Sequence, residues 1–300
     1  MHSTLRAPST PPAAFIPLPN RLPGGVPIRL HYLDWGGTGI PLILLHGLAS
    51  SCRIWDFTAP PLAARFHVFA LDQRGHGLSD KPGSYSFAQV TGDLAALVNA
   101  LRLERPVIVG HSWGAGVAVQ FAADYPEVPA AIALVDGGFV ERSSFDATWE
   151  QVEVMMRPPE IDGVPVETFT GFAKKWPDVA EIWSDQLQEM ILSNLEVRDG
   201  RVYRRLPIPD HMKIAREIWE QNTSELWAHI RCPVLMVPAI KHSDDPQRDL
   251  WTRAKLQGIE TAKGLLRDVK VVPMEDTIHD VPIQRPKELA AAIIDFAGDL

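Results

Sequence analysis

The residues best suited to chemistry are residues 110–114, which read Gly-His-Ser-Trp-Gly and fit the pattern G-x-S-x-G. They follow the apolar run 106–109 and precede a stretch of small residues that ends before Pro126. A strand, a sharp turn and a helix in this order hold a serine hydroxyl above the edge of a sheet, with glycines avoiding collisions on either side. The helix N-terminus also favours negative charge there. The pattern therefore predicts that Ser112 is a nucleophile.

Three further motifs flank this segment along the chain. Residues 44–48 read Leu-Leu-His-Gly-Leu, residues 72–79 read Asp-Gln-Arg-Gly-His-Gly-Leu-Ser, and residues 277–280 read Thr-Ile-His-Asp before a final amphipathic helix. With the serine segment, they make the chain resemble the α/β-hydrolase superfamily, in its branch of esterases, C–C hydrolases, haloalkane dehalogenases and epoxide hydrolases. The resemblance extends from about residue 29 to 296. It implies an α/β fold with a mostly parallel twisted sheet, helices on both faces and a helical cap insertion.

Independently of the resemblance, strand and helix patterns alternate along the chain. This alternation predicts a mostly parallel sheet covered on both faces. We expect an early hairpin whose first strand spans residues 28–34 and which closes near Gly36-Gly37. A capping box of Ser86 and Gln89 predicts the start of a helix. Residues 1–20 are rich in proline and polar side chains and predict a loosely held arm. Further strands are expected at residues 41–45, 66–71, 106–109, 130–135, 233–237 and 269–272.

The alternation stops after about Val140. Residues 141–227 contain helix-like segments but no convincing buried strand, so they are assigned to the helical cap, and residues 1–140 and 228–300 to the core. The cap carries five of the nine tryptophans and four of the seven methionines. Such side chains favour an apolar pocket, which Met155 and Trp183 are predicted to line.

A serine hydroxyl at its ordinary pKa is a poor nucleophile. It needs a histidine to accept its proton and a carboxylate to orient that histidine. In this superfamily the chain order is serine, acid, histidine. The resemblance implies that His279 is the base, because this residue follows the last strand and precedes the last helix. His46, His76 and His111 belong to the other motifs and are interpreted as structural.

The acid departs from the pattern common in the superfamily, a G-x-x-D turn after the penultimate strand. Here Ala239 stands where the glycine would fall, and His242 stands where the aspartate would fall. Asp244 and Asp245 come two and three residues late. Asp136 ends the strand that follows the serine, where some haloalkane dehalogenases resembling this chain carry their acid. We predict Asp136 as the acid and keep Asp244 and Asp245 as alternatives.

An oxyanion formed on attack needs preorganised hydrogen-bond donors. The resemblance assigns this role to the backbone N–H groups of Leu48 and Trp113, which follow the His-Gly turn and the nucleophile. His46 and Trp55 are predicted to line the substrate pocket together with the two cap residues named above.

Composition limits the partners of the protein. The net charge is −8 and basic clusters are absent, which argues against nucleic-acid binding. No apolar run approaches the length of a membrane-spanning helix, and no signal-peptide pattern opens the chain. Cys52 and Cys232 lack metal or redox spacing and are interpreted as reduced thiols. We expect a cytoplasmic protein with no metal, no organic cofactor and no nucleic-acid or membrane partner; the sequence leaves the oligomeric state open.

The residue at the nucleophile position decides the chemistry. Haloalkane dehalogenases and epoxide hydrolases of this fold use an aspartate there, whereas a serine suits acyl transfer to water. We predict a serine hydrolase that cleaves a small to medium apolar carboxylic ester or lactone through an acyl-enzyme on Ser112. A C–C bond hydrolase or a perhydrolase with the same triad is the alternative. A small-molecule receptor without turnover is the alternative from another class.

Overall fold

A computed structural model describes residues 11–18, 27–141, 147–177, 179–241, 246–298 and 300. The first part of the core contains β1 (Ala13–Leu18), β2 (Ile28–Gly36), β3 (Pro41–Leu45), α1 (Ala59–Leu62), β4 (His67–Asp72), α2 (Phe87–Ala100), β5 (Val107–His111), α3 (Trp113–Asp124) and β6 (Ala131–Val135). An insertion follows with α4 (Trp149–Met156), β7 (Val164–Pro165), α5 (Val166–Ala173), α6 (Asp185–Ser193), β8 (Leu195–Arg198), β9 (Arg201–Arg204), α7 (Ile208–Glu220) and α8 (Thr223–Trp227). The core resumes with β10 (Val234–Val237), β11 (Ala239–Ile240), α9 (Pro246–Leu265), β12 (Val269–Val271), β13 (Met274–Glu275), α10 (Val281–Gln284) and α11 (Pro286–Ala297).

The core strands form one sheet, which in the described residues has the order β1-β2-β4-β3-β5-β6-β10-β12. β1 pairs with β2 and β2 with β4 antiparallel, and the other neighbours are parallel. Alternate side chains of the central strands enter two apolar clusters, one with α2 and α3 and the other with α1 and α11. The sheet is therefore covered on both faces, as strands buried on both sides require.

The carboxyl ends of β3, β5, β6 and β10 meet at one edge of the sheet, because these strands are parallel neighbours. The residues that directly follow them are His46, Ser112, Asp136 and Pro238. In open sheets of this kind, ligands bind at the carboxyl ends of the strands. The topology thus gathers separate sequence motifs at one place.

Most of the predicted core elements are confirmed. The predicted strands agree with β3, β4, β5, β6, β10 and β12 to within two residues at each end. The capping box at the start of α2 is formed: the Ser86 hydroxyl accepts from the Gln89 backbone, and the Gln89 side chain accepts from the Ser86 backbone. No helix in the described ranges is long and apolar enough to cross a bilayer.

Two expectations for the N-terminal region are wrong. β2 does not close a hairpin with β3 at Gly36-Gly37, because β4 lies between these strands and pairs with both. Part of the predicted loose arm, Ala13–Leu18, is the edge strand β1 and pairs with β2 along its whole length. Its inner side chains Ile16 and Leu18 alternate with exposed neighbours, which is a strand pattern that the surrounding prolines obscured. Residues 1–10 and 19–20 of that arm lie outside the described residues.

The insertion between β6 and β10 is not purely helical. Beside α4–α8 it contains a small antiparallel sheet in the order β7-β9-β8. The turn between β8 and β9 is Asp199-Gly200, with φ values of 48° and 71°. Asp-Gly is a strong hairpin signal, and it was available in the sequence. The strands themselves are short and largely exposed, so no apolar run marks them.

Candidate active site

Ser112 occupies the turn between β5 and α3 in a strained backbone conformation. Its φ is 55° and its ψ is −118°, a combination that residues with side chains rarely adopt. A Cβ on Gly110 would collide with the carbonyl oxygen of Gly114, and a Cβ on Gly114 would lie 2.5 Å from the carbonyl oxygen of Leu45. Close backbone packing therefore requires both glycines, which agrees with the reason given for the G-x-S-x-G pattern.

The turn after β3 lies directly against Ser112. A Cβ on Gly47 would be 3.0 Å from the Ser112 Cβ and 3.5 Å from the Ser112 Oγ. Leu48 follows in this turn, and Trp113 is the first residue of α3, where a backbone N–H has no acceptor within the helix. The two N–H groups predicted to bind an oxyanion thus belong to the two turns that meet at the serine.

Asp136 follows β6 at the same edge of the sheet. His111 is the register partner of Val135 in the parallel ladder, and the Ser112 N–H donates to the Val135 carbonyl oxygen at 3.0 Å. Residues 112 and 136 therefore leave neighbouring strands at the same level. The φ of Asp136 is 45°, a conformation that aspartate tolerates better than most residues. Its carboxylate is completely buried.

His279 reaches this carboxylate from the loop between β13 and α10. Its Nδ1 lies 2.6 Å from the Asp136 Oδ2, while 54% of its side chain remains exposed. Loss of hydration lowers the pKa of His279, but the hydrogen bond and the negative charge of Asp136 outweigh it and raise this pKa above its ordinary value. The ring is thus held at one nitrogen and made more basic by its partner.

Two further groups hold the Asp136 carboxylate. The backbone N–H of Ala239 donates to Oδ1 at 2.9 Å, and the Lys255 Nζ lies 2.8 Å from Oδ1 and 2.9 Å from Oδ2. Burial raises the pKa of Asp136, but the contacts with His279 and Lys255 outweigh this effect and lower the pKa below its ordinary value. Asp136 is therefore ionised at neutral pH.

The structure joins His279 to Asp136 and places Ser112 at the end of the neighbouring strand. The alternative acids, Asp244 and Asp245, lie outside the described residues. Sequence reasoning missed Lys255, which lies on α9. No motif marks this residue, since a lysine in a polar helix is ordinarily a surface residue.

His111 contacts the loop that carries His279. Its Nε2 lies 2.9 Å from the His279 carbonyl oxygen, and the two rings are 4.8 Å apart. Because a carbonyl only accepts, Nε2 must carry the proton, which leaves Nδ1 as an acceptor. This Nδ1 is buried without a hydrogen-bond partner, and a Cβ on Gly47 would lie 3.4 Å from it. Burial and the nearby His279 lower the pKa of His111 to about 4, so the ring is neutral at neutral pH.

His46 and His76 fix the loop that follows β3. His46 donates from Nδ1 to the Gly47 carbonyl oxygen at 2.7 Å and accepts at Nε2 from the Gln73 N–H at 3.1 Å. His76 accepts at Nε2 from the Ala49 N–H at 3.1 Å. Burial is the main cause that lowers the pKa of both rings. Both histidines therefore act as neutral braces for the turn that faces Ser112.

Two of the four predicted pocket residues do not line a pocket in this structure. His46 and Trp55 have 0% exposure, so no water-sized space borders them. His46 uses both ring nitrogens in its loop, and Trp55 packs in the cluster with α1 and α11. The indole of Trp113 is also buried, with its ring 5.2 Å from that of His76. The Trp113 side chain is thus packed away from solvent, and the oxyanion prediction concerns only its backbone N–H.

The two predicted cap residues differ in position. Met155 lies exposed on α4. Trp183 follows the short 3-10 helix Ala180–Ile182 and packs against the cluster that contains Trp55 and Val281. Val281, two residues after His279, belongs to the same large cluster, whereas Met155 is not part of it.

Possible metal ligands in the described part of the chain gather at one place, formed by His31, Cys52 and Asp72. Asp72 accepts from the His31 Nδ1 and from the Cys52 N–H, each at 2.7 Å, and from the Leu78 N–H at 2.9 Å. Burial raises the pKa of the Cys52 thiol well above its ordinary value, so the sulfur stays protonated, whereas a metal ligand must be a thiolate. This group braces the turn of residues 72–79 by hydrogen bonds.

Comparison with known proteins identifies the family and agrees with the fold. The model of the alpha/beta hydrolase family matches residues 42–292. Epoxide hydrolase 1 of Caenorhabditis elegans is 39% identical over 105 residues, which are 34% of this chain and 26% of that protein. The matches to this protein and to seven further curated relatives cover only 21% to 41% of the relatives' length.

Two solved structures extend the likeness over most of the chain. E-2-(acetamidomethylene)succinate hydrolase superposes with a TM-score of 0.73 at 24% identity, covering 90% of this chain and 95% of that one. A marine microorganism esterase superposes with a TM-score of 0.68 at 23% identity, covering 89% and 98%. At these identities the likeness concerns the fold. With the family match over more than half of its length, the chain belongs to the alpha/beta hydrolase family.

Proposed function

We propose that this hydrolase cleaves a small to medium apolar carboxylic ester or lactone through an acyl-enzyme on Ser112. The observation that carries the proposal is the contact of 2.6 Å between the His279 Nδ1 and the buried Asp136 carboxylate, at the sheet edge where Ser112 occupies its strained turn. A serine with such partners suits attack on a carbonyl carbon. Epoxide and halide chemistry in this branch of the family relies instead on an aspartate at the nucleophile position.

In the proposed first half-reaction, the Ser112 Oγ attacks the ester carbonyl carbon while His279 accepts the hydroxyl proton. The Asp136 carboxylate stabilises the resulting imidazolium, which agrees with the raised pKa of His279. The backbone N–H groups of Leu48 and Trp113 bind the oxyanion. His279 then gives its proton to the departing alcohol, which leaves an acyl group on Ser112.

In the second half-reaction, a water molecule replaces the alcohol. His279 removes a proton from this water as it attacks the acyl carbon, and the proton then returns to the Ser112 Oγ as the acid leaves. The exposed part of the His279 ring supports this step, because water must reach the base directly. In this scheme the groups of the chain act on the substrate and on one water molecule.

The proposal that the substrate is apolar rests on residues of the insertion, which is the predicted cap. Trp183, Ile182 and Ile191 of the insertion are half-buried and pack against the large apolar cluster that also contains Val281. The insertion is joined to the loop that follows β3, since the Ser51 hydroxyl donates to the Asn194 Oδ1 at 2.7 Å. An apolar acyl or alcohol group suits such surroundings.

Steady-state hydrolysis of p-nitrophenyl butyrate by the wild type, Ser112→Ala and Ser224→Ala tests the proposal. Ser224 lies on α8 and its hydroxyl donates to the Asn222 Oδ1, so its variant controls for the loss of a serine. We expect turnover by the wild type and the control, and a loss of at least about 10³-fold in Ser112→Ala. Profiling of acyl chain length would then define the acyl group.

Turnover that survives in folded Ser112→Ala would overturn the proposal. A folded wild type without turnover of any activated ester would do so as well. In that case C–C bond cleavage of a diketone and binding of small molecules without turnover become the assignments to test.

We further propose that the enzyme works in the cytoplasm. Cys52 and Cys232 are free thiols, one buried and the other half-buried, the usual state of cysteines in a reducing compartment. Fractionation of the native cells, with activity on the activated ester as the readout, tests this location. Recovery of the activity outside the cytoplasmic fraction would contradict it.

A further inference from the structure

Lys255 of α9 makes an ion pair with the Asp136 carboxylate. Its Nζ lies 2.8 Å from Oδ1 and 2.9 Å from Oδ2, and 3.0 Å from the carbonyl oxygen of Ala239. A lysine ammonium has three N–H donors, and these three oxygens can accept all of them. The contact joins residues 119 positions apart in the sequence.

The pair is buried, unlike the other lysine pair on this helix. The Lys255 side chain is 15% exposed and that of Asp136 is not exposed at all. Lys263 contacts Glu260 at 2.6 Å on the surface of the same helix, where both side chains are largely exposed. An exposed pair of that kind contributes little, whereas an unpaired charge in the place of Lys255 or Asp136 would be costly.

The backbone at Ala239 links the two charged groups. Its N–H donates to the Asp136 Oδ1 and its carbonyl oxygen accepts from Lys255. Asp136, Ala239 and Lys255 thus form a closed ring of contacts around one carboxylate. The His279 Nδ1 contacts the same carboxylate at Oδ2, so Lys255 acts on the histidine through the aspartate.

We propose that Lys255 is a positioning residue, which fixes the Asp136 carboxylate and sets the pH range in which His279 accepts protons. This inference rests on the proposed function, in which His279 is the base. Lys255 contacts neither Ser112 nor the reacting atoms in the proposed mechanism. Its effect is exerted through charge and through the geometry of Asp136.

The groups that face His279 determine the sign of this effect. Asp136 at the end of β6 and Asp280 before α10 favour the protonated ring, while His111 of β5 lies beside it and Lys255 of α9 opposes its protonation. Loss of hydration acts in the same direction as Lys255. Removal of the lysine charge should therefore raise the pKa of His279 further and leave more of the base protonated near neutral pH.

The direct test is an NMR titration of the histidine rings, with the His279 signal assigned by its absence in His279→Gln. The proteins compared are the wild type, Lys255→Gln, Lys255→Met, Lys255→Arg and the surface control Lys263→Met. Gln removes the charge but keeps a donor, Met removes both, and Arg keeps the charge. We expect the titration midpoint of His279 to move to higher pH in the Gln and Met variants, and to stay near the wild-type value in the Arg variant and the control.

The acid limb of kcat/KM for p-nitrophenyl butyrate should move in the same direction as the NMR midpoint. An unchanged or lowered His279 midpoint in folded Lys255→Gln would overturn the proposal, even if the variant were less stable. If Lys255→Met does not fold, Lys255→Gln and Lys255→Arg still decide the outcome. Failure of the proposed function would remove the kinetic readout only, because the NMR titration needs no substrate.

Discussion

The Asp136 Oδ2 lies 2.6 Å from the His279 Nδ1, across a separation of 143 residues in the chain. The aspartate follows the strand next to the one that carries Ser112, and the histidine comes from a loop near the C-terminus. The carboxylate is buried while much of the imidazole is exposed. This geometry suits the proposed role of His279 as a base, since the ring is oriented from the interior and remains accessible from outside.

Asp136→Asn should reduce kcat on the activated ester by about 10⁴-fold with the fold intact. An amide cannot stabilise the imidazolium, and it can offer an N–H where the His279 Nδ1 must donate. Stopped-flow or steady-state hydrolysis measures the loss, and circular dichroism checks the fold. Asp244→Asn and Asp245→Asn are the matched controls and should remain close to the wild type. Near-normal activity of Asp136→Asn with loss in either control would reverse the assignment of the acid.

Gly47→Ala should lower kcat by about 10- to 100-fold. A Cβ at this position would lie 3.0 Å from the Ser112 Cβ, so the serine or the turn must shift. Displacements of reacting groups by about 1 Å have effects of this size. Gly92→Ala in α2 is the control, because a Cβ on Gly92 meets nothing within 4 Å. That helical substitution should keep the activity and stabilise the protein by roughly 0.5–1 kcal/mol. Activity of Gly47→Ala equal to that of Gly92→Ala would show that the turn does not abut the reacting serine.

Deprotonation of His279 should change activity and stability in opposite directions. Activity should increase with pH, while the stability that this residue contributes should decrease. Loss of hydration lowers the pKa of this residue, but Asp136 outweighs it and raises the pKa above its ordinary value. Activity should therefore rise as pH increases through the raised value, since the neutral ring is the base. The stability that His279 contributes is fully present below its unfolded pKa and is lost as pH rises through the folded pKa.

The measurements for this pH prediction are kcat/KM and urea unfolding across pH 5 to 9, compared between the wild type and His279→Gln. The difference in the free energy of unfolding between the two proteins should shrink as pH rises. A difference that grows over this range would mean that the folded protein favours the neutral ring, contrary to the prediction.

His111→Phe should reduce kcat by about 10- to 100-fold while the protein remains folded. The variant loses the hydrogen bond of 2.9 Å to the His279 carbonyl oxygen, so the loop that carries the base is less well fixed. His67→Phe is a matched control, because His67 pairs with Asp34 at the start of β4 and is partly exposed. Equal kcat values for the two variants would mean that His111 does not position the base.

The stability of the His111→Phe variant should also depend less steeply on pH. Burial lowers the pKa of His111 to about 4, so between about pH 6.5 and 4 the unfolded wild type binds a proton that the folded protein does not. The free energy of unfolding should therefore decrease as pH falls through this range, and part of the decrease should be missing in His111→Phe. Urea unfolding at a series of pH values measures both slopes, and identical slopes would contradict the assigned neutral state.

Local steric and polar patterns in the sequence predict most of the strands and turns of the core. The G-x-S-x-G segment required glycines at positions 110 and 114, and both prove to be in close backbone contact. The Ser86–Gln89 capping box is formed at the start of α2. Such features are readable from sequence because each depends on a few neighbouring residues and on one strand or one turn.

Features that depend on pairing partners were harder to predict. The sequence predicts a loose arm where the edge strand Ala13–Leu18 lies. The proline-rich surroundings hide the short alternation of exposed and more buried side chains in this strand. The sheet of the insertion escaped prediction because its strands are short and exposed. The sequence also predicts that His46 and Trp55 line the pocket, although packing buries them completely.

The sequence by itself determined the family and predicts the nucleophile and the base, because these depend on local motifs and their order along the chain. The tertiary structure decided how the carboxylate of Asp136 is held. His279, Ala239 and Lys255 reach it from separate elements, and the last two stand 103 and 119 residues from it in the sequence. Only folding brings these groups within hydrogen-bond distance, since their positions depend on how α9 and the strand ends pack rather than on any local pattern.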